Sequence, residues 1–301
     1  MLHRTGEPEV AVEAEFEDAS GKRSVVVQHS AQGKQITIDG KVTRDRKEMI
    51  ASVPAVVFCH DDIQYVTGPP EMQRWFVNQS HTLVDVSYVD DLRRYGRLLK
   101  MRNSALRDEQ MGVIDALDIQ LAPVGIRLVD RRRQIVSQFA PILQELFGLV
   151  FGGKWQLSMK YRTSWSEYDV AEAVTALQQK RTRDLDMRTT THGPHRDRFP
   201  LELNGRPLVE IASTGQLRLV SLLLRVGQAR LLSQLLKIKP ILLLDDVLLE
   251  LDPERRQRFV SALPEYQQAF FTFLPDEQYA RFAEGSTITY NVVSGTLNAQ
   301  C

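Results

Sequence analysis

Hydrophobic and polar positions along the chain change period twice. Residues 9–58 read as β: residues 10–16, 24–29 and 35–39 alternate or run apolar, separated by the turn-like Ser20-Gly21-Lys22 and Gln32-Gly33-Lys34. Asp39-Gly40 adds a further turn signal, so a meander of short antiparallel strands is predicted. Residues 55–58 predict another strand, ending in Cys59-His60-Asp61-Asp62. From about residue 70 to 182 the period is helical. Residues 90–106 place Leu92, Tyr95, Leu99 and Leu106 near one helix face. A long helix is expected through Leu146, broken near Gly148, Gly152 and Gly153. Residues 157–161 read as a strand and residues 168–180 as an amphipathic helix. This middle block reads as a helical insertion between two β-rich halves. Residues 184–212 return to β and loop, with a hairpin over 201–208 around Asn204-Gly205.

The most informative stretch is residues 241–252, Ile-Leu-Leu-Leu-Asp-Asp-Val-Leu-Leu-Glu-Leu-Asp. A short, fully apolar run predicts a strand buried on both faces, as in a parallel sheet covered by helices. Ending it in Asp245-Asp246 is costly unless the charges are paired or coordinated. Mg²⁺ on nucleotide phosphates would do this, because Mg²⁺ takes few protein carboxylates. Two acids in solvent at the start of a loop is the other reading of the same pattern. Upstream, Ala212-Ser213-Thr214-Gly215-Gln216-Leu217-Arg218 opens a long apolar helix through Leu236. Ser213 or Thr214 is its natural N-cap, and free N–H groups there favour an anion. The helix is too apolar for the surface and is expected to pack under the sheet. After Asp252-Pro253 an amphipathic helix over 254–262 leads to one more buried strand, over 268–273.

Composition narrows the function classes. The 301 residues are 43% apolar and 25% charged, as in a globular protein. Thirty-eight basic and 38 acidic residues cancel, so a polyanionic partner would need a local patch. One candidate is the stripe Arg93, Arg94, Arg97, Lys100, Arg102 and Arg107, in which no acid intervenes. It reads either as a solvated face or as a row of DNA phosphate contacts. Arg127, Arg131, Arg132 and Arg133 form a second basic cluster. Two cysteines, Cys59 and Cys301, are too few for a disulfide framework and wrongly spaced for zinc. No apolar run is read as reaching the length of a membrane span, and the acidic N-terminus lacks the apolar centre of a signal peptide. A cytoplasmic location is therefore expected. His192 and His195 lack a third ligand at metal-site spacing and read as part of a hydrogen-bonded loop. Gln32-Gly33-Lys34 is not a phosphate loop: Gln28 and Gln35 occupy the positions of the first glycine and the hydroxyl residue. No Gly-Lys-Ser/Thr occurs anywhere in the chain.

Four stretches carry a resemblance. They are residues 56–62 with Gly68-Pro69-Pro70 beyond, residues 95–103, Gly193-Pro194-His195-Arg196-Asp197, and residues 213–218 with 242–252. Together the chain resembles the RecF family of bacterial recombination mediators, ATPase heads of the SMC-like ABC type. The likeness covers roughly residues 8–275. It implies an α/β fold: a mixed sheet flanked by helices, an N-terminal antiparallel β-meander, and a helical lobe inserted between two β-rich halves. Residues 1–80 and 183–301 would form the head (lobe I), and residues 81–182 the helical insertion (lobe II).

Position by position, Asp245 resembles the Walker B carboxylate that orders Mg²⁺. Asp246 resembles the acid that orients or deprotonates the attacking water. Ser213, Gly215 and Gln216 resemble the signature motif that completes the ATP site of the opposite protomer. Asp252 resembles the D-loop aspartate, and Thr272 stands where many relatives place a switch histidine. The resemblance further implies ATP and Mg²⁺ as cofactors and an ATP-dependent head-to-head homodimer. Its partners would be single- or double-stranded DNA and recombination mediator proteins of the same pathway, in recombinational repair and SOS induction. DNA contacts are expected at Arg93, Arg97, Lys100 and Arg102. Departures from the family pattern are His60-Asp61-Asp62 for Pro-Glu-Asp, Gln73-Arg74 for two arginines, and Leu249 for serine. The family's strand–P-loop–helix would precede the meander. Two expectations follow: a DNA repair ATPase whose true start lies upstream, or a truncated, non-catalytic DNA- or partner-binding relative. In either case no ATP hydrolysis is expected from this polypeptide alone.

Overall fold

A computed structural model describes residues 9–18, 21–31, 33–43, 45–152, 155–248, 251–273, 287–293 and 295–300. The meander forms as expected: β1 (Val10–Asp18), β2 (Gly21–Ser30), β3 (Gly33–Ile38) and β4 (Lys41–Thr43) pair antiparallel in sequential order. Asp39 and Gly40 both take positive φ, 50° and 76°, the mirror-image turn that a two-residue hairpin demands. The expectation of β throughout residues 9–58 fails at α1 (Arg46–Ser52). There the Asp45 side chain caps the helix by accepting the Lys47 N–H, a local bond that competes with strand pairing.

β5 (Ala55–Phe58) leads through a 3₁₀ turn (His60–Ile63) and the short α2 (Gln64–Thr67) into α3 (Pro70–Val84) and α4 (Tyr88–Arg107). Next comes α5 (Met111–Phe151), with prolines at 123 and 141 inside it, ending at Gly152 with φ 66°. Gly153 lies outside the described residues. β6 (Leu157–Met159), α6 (Val170–Gln179) and α7 (Arg181–Asp186) follow. A 3₁₀ turn (Pro194–Arg196) then leads to the hairpin β7 (Leu201–Leu203) and β8 (Arg206–Pro207), turning on Asn204 and Gly205 at φ 51° and 77°. β6 joins this hairpin as an antiparallel strand.

α8 (Leu208–Ile211) precedes α9 (Thr214–Leu236), and Ser213 caps α9 in a reciprocal box with Gln216. β9 (Ile241–Leu244), α10 (Pro253–Ala262) and β10 (Gln268–Phe271) complete the head, and β11 (Thr289–Val293) pairs with β12 (Thr296–Gln300). β9 is the centre of a parallel sheet ordered β10-β9-β5. In register, Val56, Leu242 and Ala269, then Phe58, Leu244 and Phe271, face the core. The opposite face is not fully covered: Val57 is 44% and Phe270 50% exposed. Among the described residues β10 is thus an edge strand with one open face, not the buried strand its Phe-rich sequence predicts.

Two apolar cores are present. The larger gathers the sheet, α9, α10 and the C-terminal half of α5. The second joins α4, the N-terminal half of α5, α6 and the fully buried Trp165. α5 runs through both, and α3 continues across residue 80. Against the expectation from run length, α9 is long and apolar enough to cross a membrane. Arginines interrupt its apolar run, and 72% of that stretch is buried within the protein.

Candidate functional site

The parallel register brings the C-terminal ends of β5, β9 and β10 to one edge, the edge at which open α/β sheets bind ligands. Asp245 leaves β9 with its N–H donating to the Phe58 carbonyl at 3.1 Å, so its position is tied to the end of β5. Asp246 follows in the left-handed region at φ 52°. Thr272, just beyond β10, lies between them. Its hydroxyl is 2.9 Å from Asp245 Oδ1 and 3.1 Å from Asp246 Oδ1, and accepts the Asp246 N–H at 2.9 Å. All three side chains are exposed. Two carboxylates and a hydroxyl offer only hard oxygen donors, the set that suits Mg²⁺. Among the described residues no cluster of three or more His, Cys, Asp or Glu forms a complete cage.

Ser213, Gly215 and Gln216 stand apart from this triad at the start of α9. The Ser213 hydroxyl accepts the Gln216 N–H, and the Gln216 side chain accepts the Ser213 N–H. Nothing lies within 4 Å of a Cβ built on Gly215, so packing within the chain does not require glycine there. One turn on, the Arg218 guanidinium lies against the His60 ring, 3.0 Å from Nε2 and 3.2 Å from Nδ1. The helix start is therefore tethered to the chain leaving β5. Asp252 caps α10 by accepting the Arg255 N–H at 2.9 Å. Leu249 and Glu250 lie outside the described residues.

Behind the edge is a charged centre that sequence reasoning missed. Arg225, almost fully buried in α9, donates from Nε and Nη2 to Asp62 at 3.0 and 2.8 Å and from Nη2 to the Tyr65 hydroxyl at 2.7 Å. The available signal was Arg225 within the most apolar stretch of the helix, between Leu224 and Val226, where a buried charge needs a carboxylate partner. Gly193-Pro194-His195-Arg196-Asp197 is likewise structural. Arg132 donates to Asp197 Oδ2 at 2.7 Å, and the Tyr161 hydroxyl donates to the same oxygen at 2.7 Å. Burial pushes the Asp197 carboxyl up while Arg132 opposes it. His195 contacts the Thr190 carbonyl through Nε2 at 2.9 Å and the Tyr95 hydroxyl through Nδ1 at 2.9 Å. A carbonyl only accepts, so Nε2 carries the proton and Nδ1 accepts from Tyr95. Burial holds this imidazole down at about 4.

The basic stripe divides. Arg93, Arg94, Arg97 and Lys100 line an open groove on α4 and are exposed. Arg93 also pairs with Asp45 at 3.0 Å, a hydrogen bond that holds the Asp45 carboxyl down at about 2. Arg102, expected among the DNA contacts, is instead fully buried. It donates to Asp118 at 2.6 Å, Asp184 at 2.7 Å and Thr190 at 2.9 Å. It sits on the core face of α4 with Tyr95 and Leu98, where no phosphate can reach it. The second basic cluster also dissolves. Arg132 is buried, Arg127 and Arg131 pair with Asp91, and Arg133 pairs with Asp130.

No family model matches the chain. It is 40% identical over 262 residues to the DNA replication and repair protein RecF of Treponema pallidum (strain Nichols), covering 87% of this chain and 74% of that protein. It is 30% identical over 248 residues to the protein of that name from Trichlorobacter lovleyi, covering 81% and 67%. Among solved structures, the recombination mediator protein RecF with ATP, of the RecFOR pathway, superposes with a TM-score of 0.87 at 22% identity. That match covers 100% of this chain and 82% of the other. The Smc head domain of Pyrococcus furiosus, solved with an extended coiled coil and bound to the C-terminal domain of ScpA, gives 0.51 at 10% identity over 98% of this chain and 77% of the other. The fold is that of an ABC-type ATPase head, and the extent of identity with its curated relatives places the chain in the RecF family of DNA replication and repair proteins.

Proposed function

We propose that this chain supplies the Walker B, signature and D-loop portions of an ATP-dependent DNA-binding head in recombinational repair and SOS induction. Residues 1–80 and 183–301 act as lobe I and residues 81–182 as lobe II. The observation that carries the reading is the meeting of Asp245, Asp246 and Thr272 at the C-terminal edge of a parallel sheet. Asp245 would hold Mg²⁺, which when bound neutralises phosphate charge. Asp246 would orient the attacking water, and positioning with charge stabilisation would supply the catalysis. Ser213, Gly215 and Gln216 face outward on a capped helix start whose glycine has no role in local packing, which supports contact with the ATP of a second head. Asp252 and its helix cap would lie at the same head-to-head interface. Arg93, Arg97 and Lys100 would contact DNA phosphates, and cytoplasmic mediator proteins of the same pathway would be the protein partners.

A second reading, a DNA- or partner-binding module without hydrolysis, is favoured by one observation: no Gly-Lys-Ser/Thr occurs in the chain. Measuring association state and DNA affinity with and without ATP and Mg²⁺ separates the two. A shift toward dimer or tighter DNA binding on adding ATP supports the first, and in a form that also carries the phosphate loop Asp246→Asn should prolong it. DNA binding indifferent to ATP supports the second.

A further inference from the structure

At the end of β9 one hydroxyl serves three partners. Thr272 Oγ1 accepts the Asp246 N–H at 2.9 Å and lies 2.9 and 3.1 Å from the carboxylates of Asp245 and Asp246. Its place is set by the backbone, because the Thr272 N–H donates to the Leu244 carbonyl at 3.0 Å, pinning it to the last residue of β9. A β-branched side chain then has few rotamers. Asp246 holds φ 52°, a conformation that aspartate tolerates when its short polar groups are hydrogen-bonded locally. A threonine hydroxyl has one proton and two lone pairs. One lone pair takes the Asp246 N–H, and the single proton reaches only one of the two carboxylates at a time.

We propose that Thr272 is a positioning residue that holds Asp245 and Asp246 as a pair and turns its one O–H toward Asp246 when a divalent cation occupies Asp245. The proposal rests on the reading of Asp245 as the cation ligand. A cation draws the Asp245 oxygens to itself, which leaves Asp246 as the remaining acceptor. Asp246 is then tied to Thr272 through both its N–H and its carboxylate, so the orientation of the second acid follows occupancy of the first. No covalent bond changes; the hydroxyl rotates.

The test uses the whole chain with Mn²⁺ alone as the paramagnetic probe, together with hydrogen exchange at the Asp246 amide followed by NMR. Thr272→Val removes the hydroxyl at nearly constant shape, and Thr272→Ser keeps it. Thr272→Val should weaken Mn²⁺ binding and speed Asp246 exchange by about fivefold each, the worth of one modest hydrogen bond. Thr272→Ser should restore both. Mg²⁺ should slow Asp246 exchange in the wild type and in Thr272→Ser, but not in Thr272→Val. Wild-type Mn²⁺ affinity and wild-type Asp246 exchange in Thr272→Val would overturn the proposal, as would a lowered thermal midpoint with unchanged exchange. Asp245→Asn separates the underlying reading. If it binds Mn²⁺ as tightly as the wild type, Asp245 is not the ligand and the cation-driven half falls. The exchange rates alone then judge the clamp.

Discussion

Three arginines, Arg102, Arg132 and Arg225, are buried against aspartates. Taking such ions out of water costs several kcal/mol each, and removing one partner leaves the other charge uncompensated, typically about 3–5 kcal/mol. Arg102→Ala should therefore lower stability to denaturant by an amount in that range, with the buried Asp184 left without its arginine and Asp118 left with Arg181 alone. His195 gives a pH prediction. Burial holds its imidazole at about 4, against an ordinary value of 6.5, so the unfolded chain takes up a proton between those values that the folded chain refuses. The contribution is fully present above pH 6.5 and is lost as pH falls toward 4, by up to about 3 kcal/mol. His195→Gln, whose amide serves the same two partners, should flatten that part of the profile in denaturation curves at successive pH values.

At the scale of elements, helix packing assigns opposite signs to the same substitution at two glycines. A Cβ on Gly125 in α5 would run into the Trp165 ring and come within 3.3 Å of Tyr95, both buried. Gly125→Ala should overpack the second core and cost about 1–3 kcal/mol. Gly215 in the first turn of α9 faces open space. Gly215→Ala should leave the monomer as stable or raise it by about 0.5–1 kcal/mol, through reduced freedom of the unfolded chain. In thermal melts the Gly125→Ala midpoint should fall while that of Gly215→Ala holds or rises. A Gly215→Ala protein that is stable yet fails to respond to ATP would locate the need for glycine outside the chain's own packing.

At the scale of the whole molecule, zero net charge conceals a local asymmetry. The groove on α4 keeps Arg93, Arg94, Arg97 and Lys100 exposed, whereas the neighbouring arginines of α5 are matched by Asp85, Asp91 and Asp130. Replacing Arg93, Arg97 and Lys100 together should weaken DNA binding uniformly across sequences. It should also lower the salt slope by about 1 for every phosphate no longer neutralised. The thermal midpoint should fall little, because among the described residues Arg93 alone of the three has an ion pair, and that pair is exposed. Unchanged affinity and slope would return the groove to an ordinary solvated face.

Much of the candidate site was legible in the residues alone because the signals are local. Alternation over residues 10–38, the turn at Asn204-Gly205, a helix N-cap at Ser213 or Thr214 and an apolar strand closed by two aspartates all act within a few residues. Backbone preference and side-chain hydrogen bonds over that range depend little on the rest of the chain. The helix α1 escaped because one capping aspartate outweighed a β-like neighbourhood. Which charges are buried could not be read locally. Arg102 finds Asp184 at a separation of 82 residues, Arg132 finds Asp197 at 65, and Arg225 finds Asp62 at 163. A basic residue in a helical stripe looks the same in sequence whether water or a distant carboxylate receives it. The same holds for Thr272, 26 residues beyond Asp246, which becomes a partner of both carboxylates only when β10 pairs in parallel beside β9. Local chemistry determined the strand that ends in two acids. The tertiary register decided what stands beside them, because desolvation and hydrogen bonding depend on which elements are neighbours in space.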